Sequence, residues 1–163
     1  EMCIRDSRHP ERVAALTLIA GAMAIPVNDA LIDMSQSAPE KAFRMMTSWG
    51  HGPGAHKFDN TQPGHAFLGY GRRVMAQNDG AALHADLVAC NSYDGGKDAA
   101  ASVTQPSLCL LAGKDKMTPV KFGRKMAEQI SGAQCHVFER AGHFLPAEFP
   151  IEVNDAMAAF LSR

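Results

Sequence analysis

Two residues late in the sequence, Asp115 and His143, have the types and the placing that acid–base chemistry needs. A carboxylate can accept a hydrogen bond from one imidazole nitrogen and so fix the tautomer of the ring. The other nitrogen is then free to take a proton from a hydroxyl nucleophile, which is hardly ionised near neutral pH. An aspartate in a turn is more often a local cap, so each residue alone is weak evidence. Together they predict a catalytic acid–histidine pair.

The two residues follow two predicted strands, and this placement would bring them together. Residues 107–112 form a nearly continuous apolar run that ends at Gly113, two positions before Asp115. Residues 134–138 form another run, which leads into the loop containing His143. Because parallel strands present their carboxyl ends at one edge of a sheet, both side chains are expected at that edge.

The remaining pattern predicts a doubly wound, mostly parallel α/β sheet. Residues 13–20 resemble a third buried strand, and a helical pattern follows Thr118, which is placed to cap that helix. A last helix begins at Pro150. One apolar face of this last helix is predicted from four residues: Val153, Met157, Phe160 and Leu161. Strands alternating with helices are typical of a sheet with helices on its faces.

Residues 22–103 interrupt this alternation, because they contain helical patterns and no convincing strand. Four helices are predicted here: 29–37, 39–49, 65–78 and 80–91. Glycine-rich loops are predicted around 51–56 and 94–97. A helical insertion between strands of one sheet commonly forms a lid over the strand ends. The predicted organisation is therefore a cap over 22–103 on a core built from 8–21 and 104–163.

Several apolar residues are candidates for binding a substrate beneath such a cap. The candidates are Trp49, Phe67, Leu68, Met117 and Phe144. For Phe67 and Leu68 the alternative is ordinary packing in the buried face of one helix. Three histidines are the candidates for metal ligands: His51, His56 and His65. No carboxylate or cysteine completes their spacing, so they are interpreted as flexible loop residues, and no metal or other cofactor is expected.

Residues 103–163 resemble the end of the α/β-hydrolase fold, in which the acid and then the histidine follow the nucleophile. The matching residues are Gly113, Asp115 and Pro119 in the acid loop, and Gly142, His143, Glu148 and Pro150 in the histidine loop. Residues 10–13, which read P-E-R-V, are similar to the step after the nucleophile-bearing helix of this superfamily. The resemblance implies that Asp115 and His143 are the acid and base of a catalytic triad.

The nucleophile of that superfamily lies in a G-x-S-x-G elbow, and this sequence contains no such motif. Ser7 has no glycine at the required spacing. Residues 1–7 resemble translated sequencing-adapter sequence, so we expect them to be a foreign leader and the coding sequence to continue upstream. A chain without nucleophile and oxyanion hole is expected to be inactive alone, although its parent is expected to be a hydrolase.

Carboxylic-ester hydrolysis of a small molecule is the activity that the resemblance favours. The alternatives are carbon–carbon bond hydrolysis, epoxide or haloalkane hydrolysis with an aspartate nucleophile, and a non-catalytic ligand-binding role. Nucleotide binding is disfavoured, because Gly69 and Gly71 lack the third glycine of a dinucleotide fingerprint and follow no strand.

Composition limits the classes of partner and compartment. Sixteen basic and seventeen acidic residues give a net charge of −1, which provides no electrostatic case for nucleic acid or a membrane surface. No apolar stretch is long enough to span a bilayer. Cys109 and Cys135 lie in apolar runs and are expected to be buried thiols of a reduced, cytoplasmic protein. The oligomeric state is left open.

Overall fold

The computed structural model describes residues 9–58 and 66–162, and a parallel sheet lies at their centre. Its strands are β1 (Leu16–Ile19), β2 (Ser107–Ala112) and β3 (Gln134–Phe138), in the spatial order β1-β2-β3. All three predicted strands and their parallel direction are confirmed. The leader predicted over residues 1–7 lies outside the described residues.

The middle strand, β2, is buried along its whole length, which accounts for its continuous apolar sequence. Cys109 and Leu111 pack on one face of the sheet, against α6 (Gly96–Ser102) and α7 (Val120–Gln129). Leu108 and Leu110 pack on the other face, against α9 (Pro150–Leu161). Side chains of a strand point alternately to its two faces, so a strand covered on both sides is mainly apolar, and in β2 all residues after Ser107 are apolar.

The last helix, α9, covers the sheet through Val153 and Phe160, as the predicted apolar face requires. The prediction is wrong for Leu161, whose side chain is 61% exposed. Consecutive helical residues lie about 100° apart around the axis, so a residue directly after Phe160 turns away from the sheet. A single helical turn, α8 (Leu145–Glu148), precedes α9 and places Leu145 in the same core.

The described part of residues 22–103 is helical, as predicted, and contains six helices. They are α1 (Asp29–Ser37), α2 (Pro39–Gly50), α3 (Pro53–Phe58), α4 (Phe67–Met75), α5 (Gly80–Ser92) and α6. The loops predicted around 51–56 and 94–97 are partly wrong, because α3 and the start of α6 lie there. The glycines that suggested loops have a low helix propensity, but these helices form despite it. Among the described residues, no helix has the length and apolar character to cross a membrane.

The two cysteines on neighbouring strands differ in exposure. Cys109 of β2 is buried, as predicted, and Cys135 lies opposite it in the register of β3. The prediction of a buried thiol is wrong for Cys135, because the first three residues of β3 are exposed. One of them, His136, packs its ring edge-on against Phe138 at 4.6 Å between ring centroids.

Gly96, the first residue of α6, lies directly against the loop that follows β1. A Cβ atom at this position would overlap the carbonyl oxygen of Met23. We therefore expect Gly96→Ala to destabilise the protein by about 3 kcal/mol, since either α6 or the loop must move. Urea unfolding followed by circular dichroism measures this change.

Gly95→Ala is the matched control, because a Cβ at position 95 meets only the Tyr93 ring, at an ordinary contact distance of 3.5 Å. Its unfolding midpoint should stay within the range of the unsubstituted protein. Equal midpoints for the Gly95 and Gly96 variants would contradict the predicted packing.

Candidate active site

Asp115 lies in the turn after β2, and this turn encloses its carboxylate. Oδ1 accepts hydrogen bonds from the amide nitrogens of Met117 and Thr118, both at 2.8 Å. Oδ2 lies 2.8 Å from the hydroxyl oxygen of Thr118. Only 1% of the side chain is exposed. The loop that carries the acid therefore also fixes its orientation.

His143 reaches the same carboxylate from the loop after β3. Its Nδ1 lies 2.9 Å from Asp115 Oδ2, so the ring donates from Nδ1 to the carboxylate. Within the described residues, Nε2 makes no hydrogen bond, and 27% of the side chain is exposed. The structure thus brings together the two residues that the sequence pairs, and it leaves Nε2 able to accept a proton.

The charge on Asp115 is maintained by its hydrogen bonds. Burial by itself would raise the pKa of Asp115, but hydrogen bonds from His143 and from Thr118 outweigh this and hold the pKa below its usual range. The carboxylate is therefore ionised at neutral pH. An ionised acid beside Nδ1 stabilises the imidazolium that forms when Nε2 takes a proton.

Thr118 does not cap α7, contrary to the prediction; the residue at the cap position is Pro119. The Thr118 hydroxyl oxygen lies 2.6 Å from the carbonyl oxygen of Ala20 and 3.2 Å from His143 Nδ1, in addition to its contact with Asp115. Ala20 directly follows β1 and has a positive φ of 49°. The hydroxyl therefore links the end of β1 to the acid loop, where it contacts a carboxylate instead of accepting a hydrogen bond from a helix amide.

We expect Thr118→Val to destabilise the protein by about 2 kcal/mol, because the buried oxygens around the lost hydroxyl keep their desolvation cost without its hydrogen bond. Urea unfolding measures this loss. Thr104→Val is the control, since Thr104 is exposed and its substitution should change stability by less than about 0.5 kcal/mol. An unchanged midpoint for Thr118→Val would show that the hydroxyl contributes nothing.

The candidate substrate-binding residues lie in three places. Trp49 and Met117 line one cavity of about 300 Å³ between the acid loop and helices α1, α2 and α5. Phe67 is buried instead, in line with ordinary helix packing, and its neighbour Leu68 is half-buried. Phe144 lies beside His143, with 5.9 Å between the ring centroids.

His51, interpreted from the sequence as a flexible loop residue, is buried directly after α2. Its Nδ1 donates to the carbonyl oxygen of Thr47 at 2.8 Å. The ring packs against Phe144 and Phe67, with centroid distances of 4.9 and 6.0 Å. Burial lowers the pKa of His51, although the Thr47 carbonyl opposes this, and the ring is therefore a neutral packing element.

Two features of the site were not recognised from the sequence. One is the contact between the Thr118 hydroxyl and Asp115. The sequence signal that could have indicated it is a hydroxyl residue three positions after the acid. The other is a buried carboxylate, Glu148, which matches the histidine-loop pattern but has backbone partners that no sequence pattern indicates. In the part of the chain that the structure describes, no three potential metal ligands lie together.

Solved structures resemble this chain in fold. An enol-lactonase from Burkholderia xenovorans LB400 matches with a TM-score of 0.86 and 17% identity, over 99% of this chain and 61% of that chain. An esterase from Exiguobacterium antarcticum matches with a TM-score of 0.84 and 16% identity, over 99% and 62%. A thermophilic esterase matches with a TM-score of 0.79 and 25% identity, over 96% and 59%.

These matches establish the fold. No protein-family model matches the sequence, and no curated protein sequence matches it. The chain has the α/β-hydrolase fold, so the fold class that the sequence predicts is confirmed. It spans about three fifths of the length of each of these structures, at 59–62%.

Proposed function

We propose that this chain is part of a carboxylic-ester hydrolase in which Asp115 is the acid and His143 the base of a catalytic triad. The observation that carries the proposal is the 2.9 Å hydrogen bond between His143 Nδ1 and Asp115 Oδ2, made at the carboxyl ends of adjacent parallel strands. Ligands of open α/β sheets bind at this edge. Two of the structures that share this fold are esterases and a third is an enol-lactonase, which supports ester chemistry as the proposal.

The nucleophile is proposed to be a serine that precedes residues 10–13 in the full-length protein. The chain covers 61% of the enol-lactonase, and the superfamily resemblance places the serine elbow upstream of residues 10–13. The donors of the oxyanion hole are proposed to lie in the same upstream part. On this proposal the 163-residue chain is inactive alone.

In the proposed reaction, His143 Nε2 takes the serine proton as the serine oxygen attacks the ester carbonyl. The imidazolium then gives this proton to the leaving alcohol, and an acyl-enzyme remains. His143 next takes a proton from water, which attacks the acyl-enzyme and releases the carboxylic acid, and the serine regains its proton. Asp115 stays ionised throughout and stabilises each imidazolium.

Residues 22–103 are proposed to form a cap over this edge of the sheet. The cavity of about 300 Å³ beside Met117 lies between their helices and the acid loop, two residues from Asp115. Its lining is mainly apolar, with Val27, Leu31 and Trp49 among the residues. Such a cavity suits the apolar part of a small or medium ester.

The test is to recover the upstream coding sequence, express the full-length protein and treat it with a fluorophosphonate, which modifies activated serines. We expect one serine upstream of residues 10–13 to be labelled, with loss of p-nitrophenyl butyrate hydrolysis in proportion. Full activity after complete labelling would contradict a serine mechanism. An aspartate in the elbow would replace the proposal with epoxide or haloalkane hydrolysis, and an elbow without a nucleophile would replace it with ligand binding.

A further inference from the structure

Glu148 is a buried carboxylate outside the acid–histidine pair. It lies at the end of α8, and only 3% of the residue is exposed. Its Oε1 accepts a hydrogen bond from the amide nitrogen of Gly142 at 3.0 Å, and its Oε2 accepts one from the amide nitrogen of Gly52, also at 3.0 Å. Gly142 directly precedes His143. One carboxylate therefore joins the histidine loop to the helical segment between β1 and β2.

The two backbone segments that Glu148 joins are in direct contact. The amide nitrogen of Phe144 donates to the carbonyl oxygen of Gly50 at 2.9 Å. A Cβ atom at Gly142 would overlap the amide nitrogen of Gly52, and a Cβ at Gly50 would overlap the Phe144 ring. Glycine is needed at these positions because the backbones approach too closely for a side chain.

The backbone before and after His143 is thus held by other parts of the chain. Glu148 holds the amide of Gly142 before it, and Gly50 holds the amide of Phe144 after it. The ring between these two anchors meets Asp115 Oδ2 at 2.9 Å. A shift of either anchor changes the position from which the imidazole reaches the acid.

We propose that Glu148 is a positioning residue for His143, which it aligns with Asp115 by fixing the histidine loop against residues 50–52 of the helical segment. Whether Glu148 keeps the His143 ring aligned with Asp115 can be tested without an activity assay. The effect on catalysis rests on the proposed ester hydrolysis.

The cost of this arrangement argues that the carboxylate has a specific task. Burial raises the pKa of Glu148, since the hydrogen bonds from Gly52 and Gly142 only partly replace its lost hydration. An apolar side chain would avoid that cost but would leave two buried amide groups without their acceptor. Charge-assisted hydrogen bonds are stronger and more directional than neutral ones, as a fixed loop position requires.

The test compares Glu148→Gln with Glu152→Gln in the full-length protein. Glutamine has almost the same shape as glutamate, but it offers one acceptor oxygen, and its NH₂ group would face the second amide. Glu152 is exposed in the first turn of α9 and serves as the matched control. Two readouts are used: the tautomer of His143, from two-bond correlation spectra of ¹⁵N-histidine-labelled protein assigned with His143→Ala, and the kinetics of p-nitrophenyl butyrate hydrolysis.

We expect the unsubstituted protein and Glu152→Gln to hold His143 in the tautomer protonated at Nδ1. In Glu148→Gln this single tautomer should be replaced by a mixture, and kcat should fall about 10- to 100-fold, as expected for a misplaced catalytic group. KM should change less than about twofold. The tautomer readout stands even if the protein hydrolyses no ester, so a wrong proposal about function is distinguished from a wrong proposal about Glu148.

Gly52→Ala is a second, independent variant, because it leaves Glu148 in place. A Cβ at position 52 would lie 2.7 Å from Glu148 Oε2 and 2.8 Å from the amide nitrogen of Gly142, so it forces this contact apart. The same loss of the Nδ1-protonated tautomer is expected. If both variants keep that tautomer and only unfold at lower urea concentration, Glu148 has a purely structural role and the proposal is overturned.

Discussion

Replacing His143 with alanine in the full-length protein is expected to lower kcat for ester hydrolysis about 10⁶-fold. Nε2 of His143 makes no hydrogen bond within the described residues, so it is the atom proposed to take the serine proton. Without this base, a serine hydroxyl is hardly ionised at neutral pH. Proton transfer occurs only on the way to the transition state. The loss should therefore appear in kcat, while KM for p-nitrophenyl butyrate changes little.

The control for this prediction is His136→Ala. His136 is exposed on β3, and its ring contacts Phe138. It lies within the strand, whereas His143 lies in the loop after it. Its substitution should leave kcat within a factor of about two. If the His143 variant retains more than a tenth of the original kcat while an upstream serine is still labelled by the fluorophosphonate, another group is the base.

Asp115→Asn is expected to lower kcat about 10⁴-fold, the magnitude typical of an acid that fixes a histidine tautomer. Two backbone amides bind Oδ1, so the oxygen of an asparagine would be held there. Its NH₂ group would then replace Oδ2 and face His143 Nδ1. A nitrogen that faces a donor must itself be unprotonated, which moves the ring proton to Nε2 and removes the base.

Initial rates with p-nitrophenyl butyrate and the ¹⁵N spectra of His143 check this prediction together. The spectra should show the Nε2-protonated tautomer in Asp115→Asn. Asp155→Asn is the matched control, since Asp155 is exposed on α9. A variant that loses activity but keeps the Nδ1-protonated tautomer would mean that Asp115 acts through its charge alone.

Much of the core was predictable because its sequence signals are local. β2 is a nearly continuous apolar run that is covered on both faces, and its predicted range agrees with the structure. Cys135 and Leu161 were predicted to be buried because their neighbours are apolar. Cys135 is exposed because the start of β3 is uncovered, and Leu161 because it lies on the far side of α9 from Phe160, and neither follows from the apolar character of the neighbouring residues.

The acid–histidine pair was predictable because each residue follows a strand of the same parallel sheet. The positions of the other site residues depend on distant backbone. Thr118 binds the carbonyl of Ala20, 98 positions earlier, and Glu148 binds the amide of Gly52, 96 positions earlier. Backbone groups are present at every residue, so the sequence carries no mark of which of them meets a buried carboxylate.

The contact at residues 50–52 also sets where the helical segment could be exchanged by recombination between proteins of this fold. A donor segment would have to present a carbonyl group at position 50 and an amide group at position 52 to the histidine loop, with no side chain between them. Crossovers at the two ends of the whole segment would place the donor's residues 50–52 against the recipient's Gly142 and Glu148. An exchange of the helical segment should therefore preserve this contact only where the donor has the same backbone groups here, or where the histidine loop is exchanged with it.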